Sequence, residues 1–376
     1  MAVDGRARAV HRPARHGVRA HQLRGGRGRQ SEAESTVRAV GTLLEVRGLR
    51  AGYVYRDGAV EAVRGVDLDL AAGEFLGLAG ESGCGKTTLA FAVAGLLPAP
   101  GQILGGEVRF DGRDLTKAGE EALRRLRGKE MAIVFQASMN VLNPVLRIGD
   151  QMADALRAHG VTERKAIDER IERMLQLVGL ASHYRYAYPH QLSGGMRQRV
   201  VIAIALALDP RLVIMDEPTT GLDVVVQRTI LQEIDELRRR LGFAVLFITH
   251  DLSLLVEISD TIAIMYAGTL VERAPSRELY ERPLHPYTER LMAAFPPIGG
   301  PRKRLRGIAG QPPDLRGPAR GCPFAPRCER RLGTVCEAVT APLQQVAPGH
   351  WVACHLYGEN AAAAGARARS EGAMHA

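Results

Sequence analysis

Glu74-Phe75-Leu76-Gly77-Leu78-Ala79 runs directly into Gly80-Glu81-Ser82-Gly83-Cys84-Gly85-Lys86-Thr87, and a helix-prone run, Thr88–Leu96, follows. The first stretch is too continuously apolar for a strand with one wet face and reads as a central strand buried on both sides. The second fits G-x-x-x-x-G-K-[S/T]. Its glycines let backbone N–H groups wrap phosphates, and the following helix begins with its positive dipole end towards them. In that arrangement Lys86 bridges the β- and γ-phosphates and the Thr87 hydroxyl takes a Mg2+ ion. Glu81, Ser82, Cys84 and Thr88 complete the residues expected around the nucleotide; Cys84 is read as a small residue at a free position, without a redox role. Coincidence in a glycine-rich chain is a weak rival, because 41 Gly stand beside only five Lys.

Outward from this loop, apolar runs at Met131–Phe135, Leu212–Met215, Ala244–Ile248 and Ile262–Met265 alternate with helical patterns such as Arg228–Leu241. Strand and helix taking turns at this spacing predict an α/β fold with a mainly parallel sheet. Upstream, Leu43–Val46 and Val66–Leu70 alternate as half-buried strands do. From about 137 to 190 the period becomes helical, at Ile148–Ala158 and Glu163–Val178, as in a helical subdomain inserted into the core. These elements place a nucleotide-binding domain at 43–274. After about Ala274 proline becomes frequent and the β/α rhythm stops, so a smaller domain is expected at 275–357. A disordered Arg-rich leader (1–42) and a disordered Ala-rich tail (358–376) flank them.

Leu212-Val213-Ile214-Met215-Asp216-Glu217 is an apolar strand ending in two carboxylates. A central strand delivers its last residues to the carboxyl edge of the sheet, where ligands bind in such folds. Asp216 is then expected to hold Mg2+ through water, and Glu217 to orient and deprotonate an attacking water. By itself such a pair is more often a solvated strand end; behind a phosphate loop it reads as catalytic.

Leu192-Ser193-Gly194-Gly195-Met196-Arg197-Gln198-Arg199-Val200 resembles the signature motif of ABC-type ATPases, departing from the commonest form only at Met196. The order fits as well: phosphate loop, Gln136 at a strand end, signature, acid pair, Asp223, then His250 after the strand Ala244–Thr249. The resemblance covers Leu43 to Arg273 and implies a RecA-like P-loop ATPase core, with an antiparallel β subdomain and an inserted helical subdomain, that works as a dimer. It implies that Ser193, Gly194 and Gly195 of one chain meet the γ-phosphate held by another, a task suited to a turn that opens a helix. It also implies that His250 contacts the γ-phosphate, and that Gln136 lines the Mg2+ site and reports to a membrane partner through the Gln136–Arg147 loop. Tyr53 is the candidate for stacking on adenine, with Tyr55 its rival.

Pro283-Leu284-His285-Pro286-Tyr287-Thr288, Gly321-Cys322-Pro323-Phe324-Ala325-Pro326-Arg327-Cys328 and Val352-Ala353-Cys354-His355 resemble the C-terminal domain of dipeptide/oligopeptide importer ATPases. Nickel importers and some oligosaccharide importers share these features. The spacing C-x5-C-x7-C-x17-C over Cys322, Cys328, Cys336 and Cys354 is poor for zinc, which favours C-x2-C pairs. Four thiolates suit a [4Fe–4S] cluster, which the resemblance supports; zinc and plain buried thiols are the alternatives, and His350 and His355 are substitute ligands.

Composition bounds the rest. No apolar run approaches the roughly 20 residues of a membrane helix, so a membrane role is expected to be peripheral. The net charge of +9 is concentrated in residues 1–40, where nine Arg face three acidic residues, and this stretch lacks the apolar core of a secretory signal. Without such a signal a reducing compartment is expected, and with it free thiols rather than disulfides. The resemblance implies an ATP-hydrolysing subunit at the cytoplasmic face of the cell membrane. Its implied partners are a second ATPase chain, two permease subunits and an extracytoplasmic binding protein, with no nucleic acid. A soluble nucleic-acid-associated ATPase of the same class is the competing reading. The basic arm favours it; the absence of a long heptad-patterned insertion and the C-terminal pattern oppose it.

Overall fold

The computed structural model describes residues 41–136, 141–294, 307–317 and 320–357. The expected leader, up to residue 40, and the expected tail from 358 lie outside the described residues, as do positions 137–140 of the loop after Gln136. The strands are β1 (Thr42–Tyr55), β2 (Gly58–Ala71), β3 (Phe75–Ala79), β4 (Gly101–Phe110), β5 (Arg113–Asp114), β6 (Met131–Val134), β7 (Leu212–Asp216), β8 (Ala244–Ile248), β9 (Thr261–Tyr266), β10 (Thr269–Pro275), β11 (Gln344–Ala347) and β12 (His350–Val352). They form a four-stranded antiparallel sheet, order β2-β1-β4-β5, and an eight-stranded sheet, order β11-β12-β10-β9-β3-β8-β7-β6. In the larger sheet β9, β3, β8, β7 and β6 run parallel, and β10, β12 and β11 join antiparallel to one another and to β9.

The parallel strands are apolar along their length, save Asp216 at the end of β7 and Thr261 at the start of β9, because both faces are covered. Side chains alternate between the two faces with the period of the strand. Leu212 and Ile214 of β7, Leu246 and Ile248 of β8, and Ala263 and Met265 of β9 join the core that holds β1, β2 and the first helix, α1 (Lys86–Val93). Val213 and Met215, Val245 and Phe247, and Ile262 and Ile264 face the other core.

The remaining helices are α2 (Glu120–Leu126), α3 (Ile148–Ala158), α4 (Arg164–Leu177), α5 (Gly194–Ala205), α6 (Val224–Leu241), α7 (Leu252–Ile258), α8 (Ser276–Glu281), α9 (Pro286–Ala293) and α10 (Thr334–Ala338). Helices α3 and α4 pack with α5, burying Met152, Leu156, Ile171, Met174 and Val200 in the second core. Several helices start on side-chain caps that accept orphan N–H groups. Glu163 caps α4, Ser193 α5, Asp223 α6, Asp251 α7, and His285 caps α9 through Nδ1. The segment after Pro275 is tied to the same sheet, since β12 pairs with β10. The described residues form one compact unit, and none of their helices is long and apolar enough to cross a membrane.

Candidate active site

The phosphate loop joins β3 to α1, and two of its glycines are demanded by their surroundings. Gly80 has φ +151°, and a Cβ there would stand 2.2 Å from the Met265 carbonyl. Gly85 has φ +104°, and a Cβ would stand 2.1 Å from the Ala62 carbonyl. With Gly85 as N-cap, α1 has no side-chain cap and no acid in its first turn, so its N–H groups are left for an anion. The Lys86 ammonium donates to the carbonyls of Gly80 (2.8 Å) and Glu81 (3.1 Å) and lies 3.8 Å from the Cys84 sulfur. Burial pushes the Cys84 thiol up, which keeps it protonated.

Asp216 ends β7 and is buried, and neither of its carboxylate oxygens has a hydrogen-bond partner among the described residues. Burial pushes its carboxyl above the usual range; the nearby Thr87 hydroxyl and Lys86 ammonium pull it back, and the Glu217 charge raises it. A buried carboxylate with both oxygens unspent, next to a hydroxyl, is the donor chemistry a hard dication takes, so Thr87 and Asp216 fit Mg2+.

Glu217 follows at φ 44°, a left-handed conformation in a non-glycine residue that turns its side chain out of the strand line. Its Oε2 accepts from Gln136 Nε2 and from the Thr220 hydroxyl, both at 3.1 Å. Its Oε1 lies 3.1 Å from His250 Nδ1. Gln136, Glu217 and His250, which stand at the ends of β6, β7 and β8, therefore converge on one carboxylate. That side chain is 15% exposed, whereas His250 is 62% exposed and open to a ligand.

Of the two tyrosines, Tyr53 is half-buried and its hydroxyl lies 3.4 Å from that of Thr88, in the first turn of α1. Tyr55 is exposed near the hairpin tip. Ser193 is exposed and accepts from Met196 N, capping α5. No hydrogen bond among the described residues joins Ser193, Gly194 or Gly195 to the phosphate loop of the same chain. Asp223 likewise spends its carboxylate on Val226 N.

The four C-terminal cysteines are free thiols that come near one another. Burial raises Cys322, Cys328 and Cys354, the last to about 11, and neighbouring cysteines raise each further. Among the described residues, however, no three His, Cys, Asp or Glu side chains are placed to hold a metal ion. The substitute ligands are engaged elsewhere: His350 donates Nε2–H to Glu272 (2.7 Å) and His355 donates to the Val339 carbonyl (2.8 Å). In this arrangement the set does not fit a cluster.

Two contacts at the loop have no counterpart in the sequence reading. The Glu81 N–H donates to the Tyr287 hydroxyl (2.9 Å), and both Glu81 carboxylate oxygens accept from Arg327 (2.7 and 3.0 Å). Both partners come from the segment after Pro275, more than 200 residues away in sequence, and spacing carries no signal for such a pairing.

Residues 63–220 match the family model described as ABC transporter, and residues 271–336 match the oligopeptide/dipeptide transporter C-terminal region. The chain is 44% identical over 316 residues to a probable peptide ABC transporter ATP-binding protein, y4tR, of Sinorhizobium fredii, covering 83% of this chain and 94% of that protein. It is 39% identical to the dipeptide transport ATP-binding protein DppD of Bacillus subtilis (85% and 96% covered). It is 42% identical to the oligopeptide transport ATP-binding protein OppD of Salmonella typhimurium (83% and 93%). Among solved structures it is similar to the dimeric structure of MJ0796, a bacterial ABC transporter cassette, with TM-score 0.56 and 26% identity over 62% of this chain and 99% of that one. An ATPase cassette that carries its own oligopeptide/dipeptide-type C-terminal region is therefore what the residues build, and this chain belongs to the ATP-hydrolysing subunits of ABC transporters.

Proposed function

We propose that this chain hydrolyses MgATP at a site completed by a second cassette and so drives a peptide importer whose permease subunits lie in the membrane. The observation that carries the reading is the Glu217 carboxylate, held between Gln136 Nε2 and His250 Nδ1 at 3.1 Å each, directly after the unspent carboxylate of Asp216. Lys86 and the open N–H groups of α1 bind the β- and γ-phosphates. Mg2+, held by Thr87 and Asp216 with Gln136 nearby, would neutralise phosphate charge during the displacement. Glu217 takes a proton from the attacking water while Gln136 and His250 fix its carboxylate; the exposed face of His250 is free for the γ-phosphate. Tyr53, placed beside Thr88, offers its ring to adenine.

Among the described residues Ser193, Gly194 and Gly195 make no hydrogen bond to the phosphate loop of their own chain, and the exposed Ser193 turn opens α5 towards solvent, which supports their serving the site of a facing cassette. Val224 and Val225, about 75% exposed beside Asp223, supply apolar surface for that pairing. On the loop that follows Gln136, Val141 and Val145 are also exposed and offer a contact to a permease at the cytoplasmic face of the membrane. The peptide cargo rests on the relatives' names and on the matched C-terminal region; an extracytoplasmic binding protein belongs to the same reading.

Replacing Glu217 by Gln keeps the hydrogen-bonding shape and removes the base. The variant is expected to bind ATP, accumulate as an ATP-bound dimer with its partner cassette, and lose turnover by roughly two to four orders of magnitude. Normal hydrolysis by Glu217→Gln would remove Glu217 from this role. For the cysteines, a [4Fe–4S] centre rests on the resemblance of the C-terminal region alone and is opposed by the lack of a ligand set among the described residues. Anaerobically purified protein that is colourless and iron-free rejects it.

A further inference from the structure

The sequence carries a His-Pro-Tyr run whose chemistry the ATPase site does not absorb, and the fold gives each residue a task. His285, fully buried, accepts the Tyr287 N–H on Nδ1 (3.0 Å) and so caps α9. Pro286 fixes the first helical position, where its missing N–H does no harm. Tyr287 is thereby directed inward, fully buried, with its hydroxyl on the N–H of Glu81. Burial raises its phenol well above the ordinary value, so it meets that N–H as a neutral acceptor.

Arg327 meets the side chain of the same residue. Its guanidinium is 6% exposed and all its nitrogens are spent. Nη1 donates to Glu81 Oε2 and the Tyr266 hydroxyl, Nη2 to Glu81 Oε1 and the Ile308 carbonyl, and Nε to the Ala309 carbonyl. Its Cζ lies 5.8 Å from the Tyr266 ring centre, and Tyr266, Tyr287 and Phe324 pack with centroids 4.6–5.4 Å apart. A bidentate pair in such a box is rigid and strongly oriented.

Glu81 is an acid inside a loop built to receive a triphosphate. An ionised carboxylate there repels the ligand unless it is neutralised, and a neutral residue at 81 would need no buried arginine. The loop's first half must also stand still for the N–H groups of its second half to converge on phosphate.

We propose that Tyr287 and Arg327 are positioning residues for nucleotide binding, by which the segment after Pro275 holds the main chain of Glu81 and cancels its charge. The segment thus sets how tightly the loop takes a nucleoside triphosphate. This rests on the ATP-binding reading above.

The test is equilibrium binding of MgATP to the full chain, with thermal melts as a control for folding. Arg327→Met keeps the side-chain stem and is expected to weaken binding about tenfold. Adding Glu81→Gln to Arg327→Met removes the stranded charge and restores affinity to within roughly threefold of the starting protein. Arg327→Lys, charged but unable to bind in bidentate fashion, falls between. A purely architectural role for Arg327 would not be rescued by Glu81→Gln. Tyr287→Phe deletes only the hydroxyl and is expected to weaken binding about threefold; it carries the test if Arg327→Met does not fold. If the starting protein binds no MgATP, the ATPase reading falls and this inference with it. If it binds and Arg327→Met binds equally well, or Glu81→Gln restores nothing, or Tyr287→Phe is without effect, this inference alone is overturned.

Discussion

Asp216 carries opposed demands in one side chain. It is 1% exposed, with both oxygens unpartnered among the described residues, and burial raises its carboxyl above the ordinary value of 3.8. A folded-state pKa above the unfolded one means that the fold disfavours the ionised form. Stability present below the ordinary carboxylate range is lost as pH rises through the raised value, so at neutral pH the bare carboxylate works against folding. Asp216→Asn is therefore expected to stabilise the nucleotide-free chain by about 1–3 kcal/mol, a rise of roughly 2–4 °C per kcal/mol, while abolishing Mg2+-dependent turnover. A melting temperature that falls or stays constant would show that Asp216 is already compensated. Its neighbour adds a backbone burden: Glu217 at φ 44° stores strain of about 1–3 kcal/mol, held in place by three side-chain bonds to its carboxylate. On the proposed reading, the residue that would serve the chemistry at both positions is not the one that best serves the fold.

At the scale of the element, the phosphate loop separates glycines that matter by geometry from one that does not. Gly85→Ala drives a Cβ to 2.1 Å from the Ala62 main chain at φ +104°, so both strand and loop must shift. Gly83, at φ +77°, has open space around it, and alanine there meets only the left-handed penalty, about 1 kcal/mol. The expected result is loss of nucleotide binding and several degrees of melting temperature for Gly85→Ala, against a small shift and retained binding for Gly83→Ala. Equal effects of the two would refute the steric argument.

The same loop shows what a sequence can carry. Strand, loop and helix were legible because their periodicity and motif are local; so were β7, β8 and β9, whose apolar runs are unbroken. The meeting of Gln136, Glu217 and His250 was legible only as an order of strand ends, since parallel strands deliver successive ends to one edge. The small antiparallel sheet is more extensive than its apolar patches indicate. β1 and β2 are each 14 residues long, where alternation marks only a third of that length. β4 has Gly105 and Gly106 in its middle and alternates clearly only over Glu107–Phe110, so its full length comes from pairing with β1. The grip of Tyr287 and Arg327 on Glu81 was not legible at all, because it joins residues that only the folded topology brings together.

Across the whole molecule, the segment after Pro275 is bound to the cassette by more than the loop contact. Glu272, on β10 and fully buried, accepts from Leu284 N (2.7 Å), His285 N (2.9 Å) and His350 Nε2 (2.7 Å). One carboxylate thus ties the central sheet to the approach and cap of α9 and to β12. Because β12 also hydrogen-bonds along β10, the larger sheet has no boundary at which cassette and C-terminal segment could separate without exposing strand edges. Such a joint predicts cooperative melting of both parts. Glu272→Gln puts an amide N–H against donors and strands at least one of them, which is expected to destabilise the chain by about 3 kcal/mol, or roughly 6–12 °C. In calorimetry the loss should appear as one transition moved down, with MgATP affinity falling alongside it as α9 loosens its hold on Tyr287. Two separated transitions, with the cassette melting where it did before, would mean that the segment is an appendage and that the phosphate loop stands without it.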